Sequence, residues 1–368
     1  MRFRVDTKEL NEAISVVTKA MPAHSSMPIL EGIYLYASGS SLFLKCSDLS
    51  LQIETEIAAF VEEEGGAVFT GRTFPDLVRR FNGQDVEFEG DKNTVTLKSG
   101  RSRPSLQTAD IKDFPEMKRV DEEFSAEIKQ SSLKNMIRQT GFAVSIEESR
   151  PILTGICLEF KDDDMLQMVA LDGFRVAIRR EKIKNRTGVK SVVIPSRAMQ
   201  EIANVLSGDD EIKLVFSSTH VKLDFGYTKI ISRLLDGDYV NYSGFMREQH
   251  TSHAIVDCRE LQDAIERVSL LAKEAKSNSI KFSFTEDQLS LFANSEKGSI
   301  EDQIYIQLMG KPIDIAFNAK YILDAVKFID DEKACLKMST SVTPLIIEPM
   351  EGNAFYYMVL PVRMFGGA

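Results

Sequence analysis

The stretch MPILEG at residues 27–32 recurs, with two substitutions, as RPILTG at residues 150–155. Repetition at a spacing of about 125 residues indicates a duplicated domain. If the duplication is real, the segments around these two stretches must also match in the same register. The 368-residue chain is long enough to hold two or three such domains.

The flanking segments do match, and they reveal a third copy. A short alternating strand runs at once into an amphipathic helix in MRFRVDTKEL from residue 1, AEIKQSSLKN from residue 126 and AIVDCRELQD from residue 254. A second helix of each copy follows FTGR, IPSR and FNAK, and its apolar residues recur at the spacing of one helical face. Six helices are therefore predicted, at 6–20, 72–82, 129–140, 196–206, 258–275 and 318–329.

Alternating runs such as DVEFEGDKNTVTLKSG lie between the helices and predict hairpins with polar turns. The fold class is therefore α+β, with three repeated domains that each carry two helices on antiparallel sheets. Polar joins place the domains at 1–122, 123–248 and 249–368. Three unrelated α+β domains are the alternative, but they do not explain so many matches in one register.

Composition excludes several classes of protein. No apolar run approaches the length that spans a bilayer, and the N-terminal segment lacks the apolar core of a signal peptide. The four cysteines are far apart, which is typical of reduced thiols in a cytoplasm. We therefore expect a cytoplasmic protein without structural disulfides.

Motifs of catalysis and cofactor binding are absent. The sequence has no P-loop, no G-x-G-x-x-G, no G-x-S-x-G and no H-E-x-x-H. HTSH at 250–253 has the spacing of a weak metal site but lies in a polar join without a nearby cysteine. We predict no catalytic residue, no metal and no cofactor, although a carboxylate pair assembled from distant positions stays open.

Charge is distributed unevenly. The net charge of −10 speaks against nucleic acid as a partner. The six predicted helices nevertheless hold 14 basic and 10 acidic residues, so the remaining residues carry the acidic excess. Arg72, Arg197 and Lys320 fall at one position of the repeat, which favours sequence-independent phosphate contacts along an array of helices.

These stretches, together with SGRSRPSLQT, ALDGFRVAI, SRLLDGDYVNY and YYMVLPVRM, resemble the bacterial DNA polymerase III beta subunit, the sliding clamp, over nearly the whole chain. The resemblance implies crescent-shaped protomers that close head to tail into a homodimeric ring around duplex DNA. It implies a non-enzymatic processivity factor that tethers the replicative polymerase and other proteins. An ATP-dependent clamp loader would open the ring.

The resemblance also implies three groups of site residues. Family positions and helix register together suggest DNA contacts at His24, Arg72, Arg79, Arg80, Lys134, Arg138, Arg150, Arg197 and Lys320. The dimer interface maps to an edge strand and a helix end with Arg103, Pro104, Leu106, Leu270 and Leu271.

The third group is a pocket between domains 2 and 3 for partner peptides that carry a Gln followed by an apolar pair. Its residues map to Leu153, Leu171, Gly173, Arg175, Val176, Val240, Asn318, Tyr321, Val342, Pro344, Met358, Val359, Leu360, Pro361, Val362, Arg363 and Met364. Two positions depart from the family. Val240 replaces a usual proline, and Gly244 stands where a basic residue is common.

Two rivals to the clamp remain at this point. A repeat adaptor that scaffolds proteins without DNA would be a monomer or an oligomer without a cavity. An enzyme with an unrecognised site between domains would bind a small molecule and turn it over.

Overall fold

The computed structural model describes residues 1–116, 118–188, 190–246, 249–275 and 277–363. All six predicted helices are present. They are α1 Thr7–Val17, α2 Thr73–Val78, α3 Gln130–Thr140, α4 Ser196–Val205, α5 Cys258–Ala272 and α6 Ala319–Lys327.

The strands are short and antiparallel. The N-terminal repeat holds β1 Arg2–Asp6, β2 Gly32–Ser38, β3 Ser41–Ser47, β4 Leu51–Ala58, β5 Phe60–Glu63, β6 Gly65–Thr70, β7 Asp85–Gly90, β8 Thr94–Lys98 and β9 Ser105–Ala109. The central repeat holds β10 Phe124–Lys129, β11 Gly155–Phe160, β12 Met165–Leu171, β13 Arg175–Lys182, β14 Ser191–Pro195, β15 Glu211–Phe216, β16 His220–Asp224 and β17 Thr228–Arg233. The C-terminal repeat holds β18 Ser252–Asp257, β19 Ser279–Phe284, β20 Gln288–Ser295, β21 Gly298–Tyr305, β22 Gln307–Met309, β23 Ile313–Asn318, β24 Lys333–Met338, β25 Leu345–Pro349 and β26 Phe355–Val359.

The repeated stretch has the same structure in both copies. PILE at 28–31 and PILT at 151–154 each form one 3₁₀ turn with proline at its start, and each leads into a strand at a glycine. Gly32 pairs with Thr70, and Gly155 pairs with Pro195. A Cβ would lie 2.5 Å from Val68 Cγ1 at the first glycine and 2.7 Å from Ile194 O at the second. Close backbone approach therefore requires glycine at both positions.

In the third copy Ser279 pairs with Asn318 at the equivalent position of the repeat. Arg72, Arg197 and Lys320 each come two residues after the residue that pairs here, which is Thr70, Pro195 or Asn318. The register read from the sequence is thus the register of the backbone.

Aspartate or asparagine caps start three of the helices. Asp6 Oδ1 accepts hydrogen bonds from the amides of Lys8 and Glu9 at 2.8 and 3.0 Å, and Asp257 and Asn318 cap α5 and α6 in the same way. These caps satisfy amides that a helix start leaves unpaired, so each strand can turn directly into a helix.

The second predicted helix is shorter than the sequence suggested. Helix α2 ends at Val78, and Arg79 and Arg80 lie in the turn that follows, where the amide of Phe81 donates to the carbonyl of Val78 at 3.1 Å. The prediction of one helix to residue 82, which placed both arginines by helix register, is therefore wrong. The apolar spacing of Phe81 is met by a turn that buries helix residues Phe74 and Val78.

The chain divides into two compact units. The first comprises Met1–Gln130, Lys184–Gly188 and Glu201–Leu234 and contains one sheet in the order β10-β15-β16-β17-β4-β3-β2-β6-β9-β8-β7-β1-β5. Pairing of β17 with β4 makes this sheet continuous between the N-terminal and central repeats. The three-domain boundaries stay a prediction.

The second unit holds most other described residues, with two sheets ordered β14-β11-β12-β13-β26-β25-β24-β18-β22 and β21-β20-β19-β23. Strand β13 pairs with β26 from Arg175↔Val359 to Arg179↔Phe355, which joins the central and C-terminal repeats. A buried cluster that includes Leu153, Leu171, Val176 and Met358 packs at this junction. The junction is where the candidate pocket lies.

Candidate partner-binding pocket and nucleic-acid interface

A pocket of about 360 Å³ opens beside the β13–β26 pair in the second unit. Its lining is mainly apolar and comes from the ends of β12, β13 and β26, from the segment before β25 and from the 3₁₀ turn at 243–245. The lining residues are Leu171, Gly173, Arg175, Val176, Gly244, Phe245, Pro344, Met358 and Leu360.

One side of the pocket is a rigid turn between β12 and β13. Asp172 Oδ1 accepts hydrogen bonds from the amides of Phe174 and Arg175 at 3.0 and 3.1 Å. Gly173 has φ +89°, a conformation that favours glycine. The carbonyl of Phe174 accepts a hydrogen bond from the Leu360 amide at 2.9 Å. The turn therefore fixes the end of β26 against β13.

Arg175 is a buried cation with two carboxylate partners. Its side chain is 6% exposed, and its Nε and Nη1 donate to Asp172 Oδ2 at 2.9 Å and to Asp324 Oδ2 at 2.7 Å. The guanidinium also lies 4.7 Å from the ring centroid of Tyr321 and 5.5 Å from that of Phe142. Because its charge is compensated internally, Arg175 contributes shape to the pocket more than a free positive charge.

The opposite wall depends on Tyr242. Its hydroxyl donates to Glu159 Oε2 at 2.7 Å and accepts from Gln167 Nε2 at 2.5 Å. Burial and the Glu159 carboxylate raise the pKa of Tyr242 above its usual range, so the phenol stays protonated. Arg180 Nε in turn donates to Gln167 Oε1 at 2.6 Å. This buried network holds the segment that carries Gly244 and Phe245.

The predicted pocket residues fall into three groups. Leu171, Gly173, Arg175, Val176, Pro344, Met358 and Leu360 line the pocket. Leu153 and Val359 are buried in the core, Asn318 caps α6, Tyr321 stacks on Phe174 at 5.6 Å, and Val362 forms a bridge with Ala316. Val240 and Val342 are 36% and 78% exposed, Pro361 is half-buried and Arg363 exposed, and Met364 lies outside the described residues.

Sequence reasoning did not include Phe245 in the pocket and named Gly244 only as a departure. Both residues follow the DGDYVNY stretch, so the signal was proximity to a segment already matched to the family. The carboxylate partner Asp324 was also missed, because it lies 149 residues from Arg175 and ordinary helical spacing explains its presence in α6.

The nine cations predicted to contact DNA are all exposed. Several already contact other groups within the chain. Arg138 forms an ion pair with Asp330, Arg79 lies 3.4 Å from Asp76, and Arg72 donates to the carbonyl of Ala23 at 3.3 Å. Exposure fits a phosphate-binding role for each, but the internal pairs reduce what Arg138 and Arg79 offer a ligand.

Two strands leave an edge open, within the described ranges. Residues 105–107 of β9 pair with β8 on one side only, because β6 pairs with Thr108 and Ala109. Strand β21 pairs only with β20. Arg103, Pro104 and Leu106 lie at the first edge, whereas Leu270, which is 68% exposed, and the half-buried Leu271 lie near the end of α5.

Models of the DNA polymerase III beta subunit match the chain over nearly its full length. The N-terminal domain model covers residues 1–118, the central domain model 127–241 and the C-terminal domain model 246–363. A beta sliding clamp of Staphylococcus aureus is 30% identical over 99% of this chain and 100% of its own length. The chain belongs to the DNA polymerase III beta subunit family.

Solved structures of the family give the same fold. The DNA polymerase sliding clamp of Bacillus subtilis has a TM-score of 0.95 and 29% identity, covering 99% of this chain and 100% of that one. A sliding clamp of Bartonella birtlesii bound to griselimycin has a TM-score of 0.92 and 26% identity over the same shares. Three sliding-clamp domains with antiparallel sheets and helices therefore make up this chain, as the repeats predicted.

In the part of the chain that the structure describes, no group of three or more His, Cys, Asp or Glu side chains is arranged to hold a metal ion. Within the same residues, no helix combines the length and apolar character needed to cross a membrane. The rings of His250 and His253 lie 6.3 Å apart.

Proposed function

We propose that this chain is a DNA polymerase sliding clamp, a homodimeric ring that encircles duplex DNA and tethers replication proteins to it. The observation that carries the proposal is the full-length match to beta sliding clamps, with all three domains present. The clamp acts as a non-catalytic accessory factor of the polymerase, in the cytoplasm. Its partners are the replicative polymerase, the clamp loader and other proteins with clamp-binding peptides.

The two open strand edges support closure of a ring. An unpaired edge offers a row of amide and carbonyl groups to a second chain. The edge at residues 105–107 adjoins Arg101 and Arg103, and β21 presents Glu301, so the two edges carry opposite charge. Pairing β9 of one copy with β21 of the next is a heterologous contact, which forms a ring when the rotation closes.

The exposed cations support sequence-independent DNA binding. Arg72, Arg197 and Lys320 occupy one position of the repeat at the start of the second helix, and all three are exposed. Phosphate contacts of this kind carry no sequence information and exchange quickly with salt ions. A closed ring needs only such weak contacts, because topology keeps it on DNA while it slides.

The pocket supports binding of short apolar peptides. Its volume of about 360 Å³ and its Leu, Val, Met and Pro lining suit two apolar side chains of an extended segment. The relative from Bartonella birtlesii was solved bound to griselimycin, so a clamp of this family binds a ligand.

The test is oligomeric state by light scattering with small-angle scattering. We expect a particle of twice 41.3 kDa with a hollow-ring profile. Leu106→Asp and Leu270→Asp should each give a 41.3 kDa monomer, whereas Leu49→Asp, a control at a residue that is 49% exposed elsewhere, should leave the dimer intact. A wild-type monomer at micromolar concentration, or a dimer without a cavity, would instead favour the adaptor that does not encircle DNA.

A further inference from the structure

Gly244 is a glycine that the backbone does not require. Most other glycines in the described ranges either have positive φ or would place a Cβ against neighbouring atoms. At Gly244 alone φ lies outside the left-handed region and a Cβ meets no atom within 4 Å. Glycine increases the entropy lost on folding, so an unneeded glycine costs stability. The fold gives no reason for it, but its place in the pocket lining does.

The segment around Gly244 is held in place on both sides. Tyr242, before it, is 6% exposed and hydrogen-bonded to Glu159 and Gln167, and Met246, after it, packs on the buried cluster under the pocket. The amide of Phe245 also donates to the carbonyl of Tyr242 at 2.9 Å. The wall is therefore preorganised, and the open space at Gly244 belongs to a fixed surface.

Phe245, the next residue, presents an aromatic ring at the same wall. The ring is 52% exposed although it lines an apolar pocket with Met358 and Leu360. An exposed phenylalanine beside empty space leaves a ring face or edge available to a ligand. Aromatic pairs gain about 0.5–1.5 kcal/mol beyond burial of area, which corresponds to an affinity gain of roughly 2- to 10-fold.

We infer that Gly244 and Phe245 determine which peptides this pocket accepts. Gly244 leaves the space beside Phe245 open, and an aromatic side chain of an extended peptide fills that space and packs on the Phe245 ring. The occupant is thus a peptide whose apolar pair includes an aromatic residue, and an aliphatic residue at the same place binds less tightly. This inference rests on the proposed role of the pocket.

The experiment uses the full chain and two synthetic peptides that differ at one position, acetyl-Ala-Gln-Ala-Ser-Leu-Phe-amide and its Leu-Leu counterpart. Calorimetry should show that the wild type binds the Phe peptide roughly 2- to 10-fold more tightly. Gly244→Leu should remove that preference and weaken the Phe peptide about 5-fold or more, without lowering the thermal midpoint, because the added side chain meets no protein atom. Phe245→Ala should lose the preference as well.

Ser243→Leu is the matched control, since Ser243 is exposed in the same turn but does not line the pocket. It should bind both peptides like the wild type. Equal wild-type affinity for both peptides, or an unchanged preference in Gly244→Leu, would overturn the inference and leave the pocket's function standing. Failure of both peptides to bind at millimolar concentration would overturn the pocket's function as well.

Discussion

The pocket and the nine predicted DNA-contacting cations are built in opposite ways. In the pocket the one charged residue, Arg175, is 6% exposed and is compensated by Asp172 and Asp324. The nine cations are all exposed, and those with internal pairs form them with exposed partners such as Asp76 and Asp330. One region uses charge to hold its own shape, and the other presents charge to solvent.

This difference sets what each region can recognise. A preformed apolar surface distinguishes ligands by fit, because its walls do not need to reorganise on binding. Exposed cations attract any polyanion and are screened by salt. A sliding clamp needs selectivity for its protein partners and indifference to DNA sequence. The two constructions match those two requirements.

The largest expected effect comes from removing the buried cation. Arg175→Ala leaves the carboxylates of Asp172 and Asp324 without their partner at partly buried positions. Loss of one member of a buried ion pair costs about 3 kcal/mol or more. We expect a lower urea midpoint for unfolding and loss of peptide binding in calorimetry.

Arg79→Ala is the control from the other region, since its side chain and that of Asp76 are 73% and 67% exposed. Exposed pairs contribute about 0–1 kcal/mol, so this variant should unfold close to the wild type. If both variants unfolded at the same denaturant concentration, the contrast between the two regions would be lost.

A second prediction concerns the matched cations of the three repeats. The combined variant Arg72→Ala, Arg197→Ala, Lys320→Ala should bind a short linear duplex about 10-fold or more weakly at low salt. The slope of log affinity against log salt should fall by about 2 to 3, because each phosphate contact contributes roughly 0.9. Fluorescence anisotropy over a salt series measures both quantities, and peptide affinity should not change.

The matched control removes the same charge from Arg119, Lys311 and Lys333, which are exposed but lie outside the six helices. A loss of DNA affinity equal in the two triple variants would mean that overall charge, and not the repeat position, accounts for binding.

Much of the fold was readable because the repeats carry local physical requirements. Gly32 and Gly155 are needed where strands approach closely, and Asp6 and Asp257 cap helices at equivalent points. The same local reasoning failed at Phe81, whose apolar spacing fits a helix although the chain turns after Val78.

The parts of the site that escaped sequence reasoning depend on distant partners. Nothing near Arg175 in the sequence indicates that Asp324 neutralises it, and nothing near Arg138 indicates Asp330. The role of Phe245 depends on how Tyr242 bonds to Glu159, 83 residues away. Pattern identifies which residues are apolar or charged, but long-range contacts decide which of those charges remain available.

The smallest expected effect tests that last point at Arg138. Asp330 forms an ion pair with Arg138 and also accepts a hydrogen bond from Gln139 Nε2 at 3.0 Å. Asp330→Asn should release the guanidinium, raise affinity for a short linear duplex about 2- to 5-fold and change stability by less than about 1 kcal/mol. Asp331→Asn, which removes the same charge from the neighbouring exposed residue, should raise affinity less. Adding Arg138→Ala to Asp330→Asn should abolish the difference from Asp331→Asn, because the gain then depends on the released guanidinium. Equal gains from the two Asn variants would show that Arg138 does not contact DNA even when its internal partner is removed.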